Sequence, residues 1–258
     1  MELKFDKYHG AGNDFIIIDG RFGLPDLTQE TIASWCKRAT GIGADGLIIV
    51  HNNADYDFEM KYYNADGREG SMCGNGGRCI AAFANKLGLC AEQTIFLASD
   101  GLHHATIHSD TLVSLAMNDA SIPEFLGDGW FVNTGSPHLV LLVENIDTID
   151  MMQYGKELRF NNRFAPDGTN VNVIQEKNNV YFIRTYERGV EAETLSCGTG
   201  AVAAALSLAT AKHINMGSIE LNARGGLLMV SFNKKQNNYT DIVLHGPVHF
   251  VYSGQIQL

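Results

Sequence analysis

Four short motifs occur twice along the chain, in the same order and at nearly the same spacing. The second copy of each motif follows the first by 122 to 124 residues. The four pairs are Gly12-Asn13-Asp14-Phe15 with Gly135-Ser136-Pro137-His138, Asp45-Gly46 with Asp167-Gly168, Tyr63-Asn64 with Tyr186-Glu187, and Cys73-Gly74-Asn75-Gly76 with Cys197-Gly198-Thr199-Gly200. Chance recurrence of glycine-rich turns could explain one pair, but not a shared register over four. The chain is therefore predicted to contain two copies of one fold.

The duplication predicts two lobes, at residues 1–118 and 119–258, and each lobe carries one Cys-Gly-x-Gly motif. Runs of β-branched and aromatic residues predict several strands in each lobe. The segments that follow the two cysteines instead predict buried helices, over residues 77–87 and 201–212. The predicted fold class is α+β, in which two pseudo-symmetric lobes each place strands around one central buried helix.

Two helix boundaries carry signals of their own. Gly88 follows the first predicted buried helix and is expected to end it as a C′ glycine. A surface helix is predicted over residues 28–40, with Thr28 as its N-cap residue.

The composition is typical of a folded globular chain and excludes several classes of partner. Hydrophobic residues make up 45% of the 258 residues and charged residues 19%, which is too apolar for a disordered chain. The formal net charge of −10 repels phosphate backbones and anionic lipid, so we expect neither a nucleic-acid nor a membrane partner. The N-terminus lacks a secretion signal, and five cysteines do not suggest a disulfide framework. We therefore expect a cytoplasmic protein with reduced thiols.

Cys73 and Cys197 are the candidate reactive residues, because each precedes a predicted helix through a glycine-rich turn. The positive end of a helix dipole lowers the pKa of a cysteine there, and the adjacent backbone N–H groups form an anion site. If the duplication places the two motifs face to face, they can hold one α-carboxylate between two thiols. One thiolate can then remove a Cα proton while the opposing thiol returns a proton to the other face, which is a two-base racemisation.

Three alternatives remain for these cysteines on the sequence alone. A single buried cysteine in a glycine-rich turn is more often structural than catalytic. Two facing thiols could form a reversible disulfide in a redox sensor. A metal site is the weakest alternative, because the spacing of Cys73 and Cys79 is not that of zinc ligands.

Five longer segments resemble those of one enzyme family. They are His9-Gly10-Ala11-Gly12-Asn13-Asp14-Phe15, Tyr63-Asn64-Ala65-Asp66-Gly67, Cys73-Gly74-Asn75-Gly76-Gly77-Arg78-Cys79, Glu187-Arg188-Gly189 and Cys197-Gly198-Thr199-Gly200-Ala201. The chain closely resembles the diaminopimelate epimerases, isomerases that interconvert L,L- and meso-diaminopimelate in lysine and peptidoglycan precursor synthesis. The resemblance implies a small-molecule substrate, no pyridoxal phosphate or other cofactor, no metal ion and a homodimer. It also implies that each lobe is a β-barrel-like sheet around its helix, with the active site between the lobes.

The resemblance further implies roles for single residues. Cys73 and Cys197 would be the catalytic acid/base pair. The other implied residues would bind the substrate or set the protonation of the thiols. They are Gly74, Asn75, Gly198 and Thr199 at the reacting carboxylate, Asn13 and Glu187 at the ammonium groups, Asn64, Asn170 and Arg188 at the distal end, and His138 and Glu187 beside the thiols, with His138 near Cys73.

The residue types alone leave other roles open for several of these positions. Asn13, Asn64 and Asn170 could cap turns, since asparagine is a common turn residue. Glu187 and Arg188 could form a solvated surface pair, and His138 could be a loop residue.

Three departures from the family pattern bear on the substrate. The glutamine that usually follows Gly-Ile-Gly-x-Asp is Gly46 here, and the asparagine of the usual Gly-Asn-Pro-His is Ser136. The loop 189–194 is one residue longer than usual before the second cysteine. The alternative function is therefore a racemase or epimerase of the same fold that acts on a different amino acid.

Overall fold

The structure is a computed structural model that describes residues 2–70 and 72–257. Ser71, which precedes the first cysteine motif, lies outside the described residues. The chain forms two compact units: unit 1 is Met1–Leu115 with Pro247–Leu258, and unit 2 is Ala116–Gly246. The predicted boundary lies at residue 118 and places the whole C-terminal segment in the second lobe. The structure differs because the last strand pairs with the first strand of unit 1.

The described residues form eighteen strands and four α-helices. The strands are β1 (Glu2–Gly10), β2 (Asn13–Asp19), β3 (Gly46–His51), β4 (Phe58–Asn64), β5 (Gln93–Ala98), β6 (Gly101–Ser109), β7 (Leu112–Ala116), β8 (Ala120–Ser121), β9 (Glu124–Phe125), β10 (Trp130–Asn133), β11 (Pro137–Leu142), β12 (Asn170–Lys177), β13 (Val180–Glu187), β14 (Ala192–Thr194), β15 (Met216–Ala223), β16 (Gly226–Lys235), β17 (Asn238–Pro247) and β18 (His249–Gln257). The helices are α1 (Gln29–Cys36), α2 (Gly74–Lys86), α3 (Met151–Arg159) and α4 (Gly198–Ala211).

In unit 1 the strands pair in chain order. Pairs β1–β2 and β3–β4 are antiparallel, whereas β2–β3 and β4–β5 are parallel. Pairs β5–β6 and β6–β7 are antiparallel, and β18 joins the other side of β1. A parallel pair needs a crossover connection, and α1 and α2 lie in these two crossovers.

Unit 2 repeats this order of strand directions. Pairs β10–β11 and β12–β13 are antiparallel, whereas β11–β12 and β13–β15 are parallel. Pairs β15–β16 and β16–β17 are antiparallel. Helices α3 and α4 lie in the two parallel crossovers, as α1 and α2 do in unit 1. The same six steps in the same order confirm the predicted duplication.

The strand ladders give the register of the duplication. In unit 1 Ile16 lies opposite Leu47, which lies opposite Tyr63. The corresponding ladder of unit 2 consists of Leu139, Val171 and Tyr186. These counterparts are 123 or 124 residues apart. The spacing of the first and third motif pairs is therefore confirmed. That of the fourth pair is confirmed by the helix starts, since α2 begins at Gly74 and α4 at Gly198.

The second motif pair was aligned wrongly. The ladders make Asn170, the first residue of β12, the counterpart of Gly46, the first residue of β3. Gly168 follows an aspartate as Gly46 does, but it is not the counterpart of Gly46. Gly168 lies in the loop before β12, where its positive φ of 70° makes it a turn residue.

Helices α2 and α4 lie at the centre of their units. Every residue of α2 from Gly74 to Ala84 is buried, and so is nearly all of the alanine-rich α4. Helix α2 packs against β1, β2 and β3 and also against β6, and α4 packs against β10 to β13 and against β15 and β16. Because each helix contacts strands from both halves of the strand order, each sheet curves around its helix. This confirms the predicted fold class, with strands around one central helix in each unit.

The helix boundaries differ in detail from the predictions. Thr28 caps α1 as predicted, with its side chain accepting from the Thr31 N–H, but the helix ends at Cys36 because Lys37 has extended backbone angles. Gly88, with a φ of 73°, follows the C-cap of α2 as predicted. Both buried helices begin three residues earlier than predicted, directly after the cysteines.

No helix within residues 2–70 and 72–257 has both the length and the apolar character that a membrane span requires.

Candidate active site

Cys73 and Cys197 are the N-cap residues of α2 and α4. Both have extended backbone angles, with φ/ψ of −97°/129° for Cys73 and −128°/121° for Cys197. The carbonyl of Cys73 accepts from the Gly77 N–H at 2.7 Å, and that of Cys197 accepts from the Ala201 N–H at 2.9 Å. Neither thiol caps its own helix. The first N–H groups of a helix have no intrahelical partner, so each cysteine stands beside donors suited to an anion.

The glycines of the two motifs allow the helices to start close to neighbouring strands. A Cβ atom on Gly76 would lie 3.2 Å from Ile48 Cδ1, and one on Gly200 would lie 2.5 Å from Asn172 Oδ1. The close approach of these strands accounts for glycine at both positions, although glycine has a low helix propensity.

In unit 1 a hydrogen-bond network connects Cys73 to two other predicted site residues. The Cys73 thiol donates to Asn13 Oδ1 at 3.4 Å, and Asn75 Nδ2 donates to the same oxygen at 3.3 Å. Asn13 begins β2 directly after the turn at Ala11 and Gly12, whose φ values of 50° and 84° are typical of a tight hairpin. The structure thus brings Asn13, Cys73 and Asn75 together at the start of α2.

Asp45 binds the side-chain amide of Asn13, although the sequence motifs do not assign Asp45 to the site. Asn13 Nδ2 donates to Asp45 Oδ2 at 2.7 Å. Asp45 and Asp14 both pair with Arg38, and Asp14 also pairs with Lys7 at 2.7 Å. Burial alone would raise the pKa of Asp14, but hydrogen bonds from Arg38 and Lys7 lower it to about 2. The only sequence signal for Asp45 was its place in a repeated Asp-Gly pair.

Asn64 ends β4 and is exposed. Its Nδ2 donates to the Arg68 carbonyl at 3.5 Å, and its own carbonyl accepts from the Gly67 N–H at 2.9 Å. Asn64 therefore stabilises a turn, which is one of the roles that asparagine can have. The contact of Asn64 with the substrate stays a prediction.

Gly46 lies against the ring of Tyr62. A Cβ atom on Gly46 would lie 2.6 Å from Tyr62 Cε2, 3.0 Å from its hydroxyl and 2.5 Å from the Tyr63 carbonyl. A glutamine at this position would therefore clash with both the ring and the backbone. The first departure from the family pattern has a structural reason, since Tyr62 occupies the space into which a longer side chain at position 46 would extend.

In unit 2 a network of polar side chains connects Cys197 to His138. Cys197 Sγ lies 3.5 Å from Thr199 Oγ1, which lies 3.0 Å from His138 Nε2. His138 Nε2 is also 2.9 Å from Ser136 Oγ. The hydroxyl of Ser136, the second departure from the family pattern, therefore belongs to this network.

His138 is fully buried and neutral. Burial, together with the nearby Arg188 charge, lowers its pKa to about 3. Its Nδ1 accepts from Asn172 Nδ2 at 3.1 Å, so the neutral ring carries its proton on Nε2 and donates towards Thr199 or Ser136. Cys73 belongs to unit 1 and His138 to unit 2. The expectation that His138 lies near Cys73 stays a prediction.

Asn170, Glu187 and Arg188 lie where β12 and β13 meet the loop that leads to Cys197. Asn170 is buried: its Nδ2 donates to the Pro137 carbonyl at 2.9 Å, and its Oδ1 accepts from the Arg188 N–H at 2.9 Å. Glu187 accepts from the Thr194 hydroxyl. Within residues 2–70 and 72–257, no carboxylate forms an ion pair with the Arg188 guanidinium, so the solvated Glu187–Arg188 pair is not observed.

All five cysteines are present as thiols. No group of three histidine, cysteine, aspartate or glutamate side chains within the described part of the chain is arranged to hold a metal ion.

Solved structures share this fold at low sequence identity. A PhzF-family phenazine biosynthesis protein from Bacillus anthracis aligns with a TM-score of 0.77 at 14% identity and covers 100% of both chains. A probable proline racemase from Agrobacterium radiobacter aligns with a TM-score of 0.72 at 13% identity and covers 99% of this chain and 93% of its own. The chain therefore has the fold that these PhzF-family and proline racemase structures share.

The sequence then assigns the chain to one family within this class. The diaminopimelate epimerase profile matches residues 5–123 and 130–251. A diaminopimelate epimerase from Flavobacterium psychrophilum is 44% identical over 256 residues, covering 98% of this chain and 100% of the relative. One from Chlorobaculum tepidum is 43% identical over 261 residues, covering 96% and 99%. The chain belongs to the diaminopimelate epimerase family, and the resemblance seen in its motifs is confirmed.

Proposed function

We propose that this protein interconverts L,L- and meso-diaminopimelate by proton transfer at Cα, in lysine and peptidoglycan precursor synthesis. The observation that carries the proposal is the position of Cys73 and Cys197, each the N-cap of a buried helix in one copy of a duplicated unit. A thiol at a helix N-terminus is readily ionised, and the same N–H groups favour a carboxylate.

In the proposed reaction the two cysteines act as a general base and a general acid. The thiolate of one removes the Cα proton, and the thiol of the other gives its proton to the opposite face, so the configuration inverts. The two sulfur atoms exchange their protonation states in each turnover, and the reverse direction uses the opposite roles. The backbone N–H groups of Gly74, Asn75, Gly198 and Thr199 bind the reacting carboxylate and stabilise the negative charge that develops on it.

The remaining site residues hold the substrate in this proposal. Asn13 and Glu187 accept from the ammonium groups, and Asn64 and Asn170 help to fix the distal end. Arg188 donates to the distal carboxylate in a charge-assisted hydrogen bond. The buried, neutral state of His138 supports a role as a hydrogen-bonding group that sets thiol protonation, together with Glu187.

The second candidate is an epimerase of the same fold that acts on another amino acid. It is favoured by Gly46 and Ser136, which replace two residues of the family pattern. The absence of an ion pair to Arg188 among the described residues argues for diaminopimelate, because a substrate with one carboxylate does not need this cation.

The proposal also covers assembly, location and cofactors. Family membership supports a cytoplasmic homodimer that requires neither pyridoxal phosphate nor a metal ion. Sedimentation at several protein concentrations tests the dimer, and activity after exhaustive chelation tests the independence from metal.

The test is proton exchange at Cα. The reduced protein is incubated with L,L-diaminopimelate in heavy water, and deuterium uptake and meso product are followed by NMR, with lysine and glutamate as control substrates. We expect exchange and epimerisation of diaminopimelate alone. Exchange of a control amino acid without diaminopimelate turnover would support the second candidate instead.

A parallel experiment separates catalysis from a redox role. If the thiols are the acid/base pair, an oxidised sample is inactive and reductant restores diaminopimelate turnover. A redox change in electrophoretic mobility with no turnover to restore would contradict the proposed function.

A further inference from the structure

Arg78 lies on α2 and is fully buried. Its Nη1 donates to the Gly74 carbonyl at 3.2 Å, and its Nη2 donates to Asn75 Oδ1 at 2.8 Å. Its Nε–H has no hydrogen-bond partner. Within the described residues, no carboxylate pairs with this guanidinium, so the cation is buried without a counter-charge.

Such an arrangement is costly, because a buried charge is stabilised only when it is paired or fully hydrogen-bonded. Burial lowers the pKa of Arg78, and only the thiols of Cys79 and Cys73 oppose this effect. Cys79 cannot serve as the anion, since burial raises the pKa of its own thiol. Several charged groups on the strands around α2 are paired elsewhere, namely Lys7 with Asp14, Asp19 with Arg21 and His103 with Asp100.

We propose that Arg78 is a positioning residue that supplies positive charge behind the carboxylate site at the start of α2, with the bound α-carboxylate as its counter-charge. The inference rests on the proposed function. Arg78 donates to Gly74 and Asn75, and these are the residues whose N–H groups bind the carboxylate in that proposal. Donation to the Gly74 carbonyl polarises the Gly74–Asn75 peptide unit and makes the Asn75 N–H a stronger donor. Donation to Asn75 Oδ1 fixes that side chain towards Asn13.

The duplication shows that this charge is specific to unit 1. The counterpart of Arg78, 124 residues later in α4, is Val202, which is buried and apolar. The two helices are otherwise alike at their starts, with a cysteine N-cap and glycines in the first turn. The start of α2 therefore carries a buried cationic side chain in addition to its helix dipole, whereas α4 has an apolar side chain at the corresponding position.

The test uses three variants, Arg78→Met, Arg78→Lys and Arg78→Gln, with Val202→Ala as the matched control in the other unit. Binding of an equilibrium mixture of L,L- and meso-diaminopimelate is measured by calorimetry, so that no net reaction heat interferes. Thermal unfolding of the unliganded proteins is followed by circular dichroism. A residue with a merely structural role would lower the unfolding temperature without a specific loss of affinity.

We expect Arg78→Met and Arg78→Gln to raise the Kd at least tenfold, since each lacks the charge, and Arg78→Lys to stay within about threefold of the wild type. Arg78→Met is expected to unfold no lower than the wild type, because it removes an uncompensated buried charge. Val202→Ala is expected to lower the unfolding temperature and leave the Kd unchanged.

Three results would overturn the inference: an unchanged Kd in Arg78→Met, an Arg78→Lys protein as weak as Arg78→Gln, or an Arg78→Met protein that does not fold. Wild-type protein that does not bind diaminopimelate would instead contradict the proposed function, so the two failures are distinguishable.

Discussion

Asn13 is held through both ends of its side-chain amide. Its Nδ2 donates to Asp45, which leaves its Oδ1 directed to the Cys73 thiol and to Asn75. Rotation of the amide by 180° would place the NH₂ group against these donors and the oxygen against the Asp45 carboxylate. Asp45 therefore determines which atom of Asn13 faces the Cys73 thiol, although it makes no hydrogen bond to Cys73 in the described part of the chain.

We expect Asp45→Ala to reduce kcat/KM for diaminopimelate about tenfold, the effect of losing one hydrogen bond to a charged group. The matched control is Arg38→Ala, which removes the exposed partner of Asp45 but keeps the bond to Asn13. Because exposed ion pairs contribute little, this variant should lose less than about threefold. Equal losses in the two variants would show that the charge cluster, and not the orientation of Asn13, is responsible.

The two cysteines give the other prediction at this scale. Cys73→Ala and Cys197→Ala should each abolish epimerisation, because each variant lacks one of the two proton-transfer groups. Neither side chain caps its helix, so the circular dichroism spectrum and the unfolding temperature should stay close to those of the wild type. Full turnover in either folded variant would refute the two-base mechanism.

At the scale of elements, α2 and α4 end in the same way with different residues. After α2 the Leu89 N–H donates to the Ala84 carbonyl, and after α4 the Ile214 N–H donates to the Ala209 carbonyl. This Schellman closure needs a residue with positive φ at C′. Unit 1 has Gly88 there, with a φ of 73°, whereas unit 2 has the exposed His213, with a φ of 55°.

His213→Gly is expected to raise the free energy of unfolding by about 0.5–1 kcal/mol, because glycine removes the strain of a left-handed side-chain residue. Urea denaturation with unchanged m-value measures the effect. Gly88→Ala is the reverse change in unit 1: nothing lies within 4 Å of the added Cβ, so its expected loss of about 1 kcal/mol comes from the backbone alone. A destabilised His213→Gly protein would show that the imidazole contributes more than the strain costs.

At the scale of the whole molecule, the duplication preserved the strand order and allowed equivalent side chains to diverge. Asn75 in unit 1 corresponds to Thr199 in unit 2, and the two residues join different networks. Phe15, which is buried and apolar, corresponds to the buried His138. One fold thus places the thiols of Cys73 and Cys197 beside different side chains, with Asn13 and Asn75 in unit 1 and Thr199 and His138 in unit 2.

Much of this organisation could be predicted from the sequence. Repeated motifs, apolar periodicity and turn residues are local signals, and they were sufficient for the duplication, some of the strands, the buried helices, Thr28 and Gly88. They also indicated the family, and they make the two cysteines the candidates for the chemistry, which stays a prediction. Local signals failed at the starts of α2 and α4, because glycine has a low helix propensity and the strands that crowd Gly76 and Gly200 are distant in sequence.

The remaining features depend on residues that are distant in sequence. Strand β18 belongs to unit 1 because it pairs with β1, and Ser253 donates to Asp6 at 2.6 Å across 247 residues of chain. The bond from Asn13 to Asp45 and the burial of Arg78 likewise arise only when separate elements pack. The sequence alone therefore determined the duplication, the two central helices and which thiols are candidates for the chemistry. Only the tertiary structure decided which side chains orient and charge the site, because no local pattern encodes a partner that lies tens of residues away.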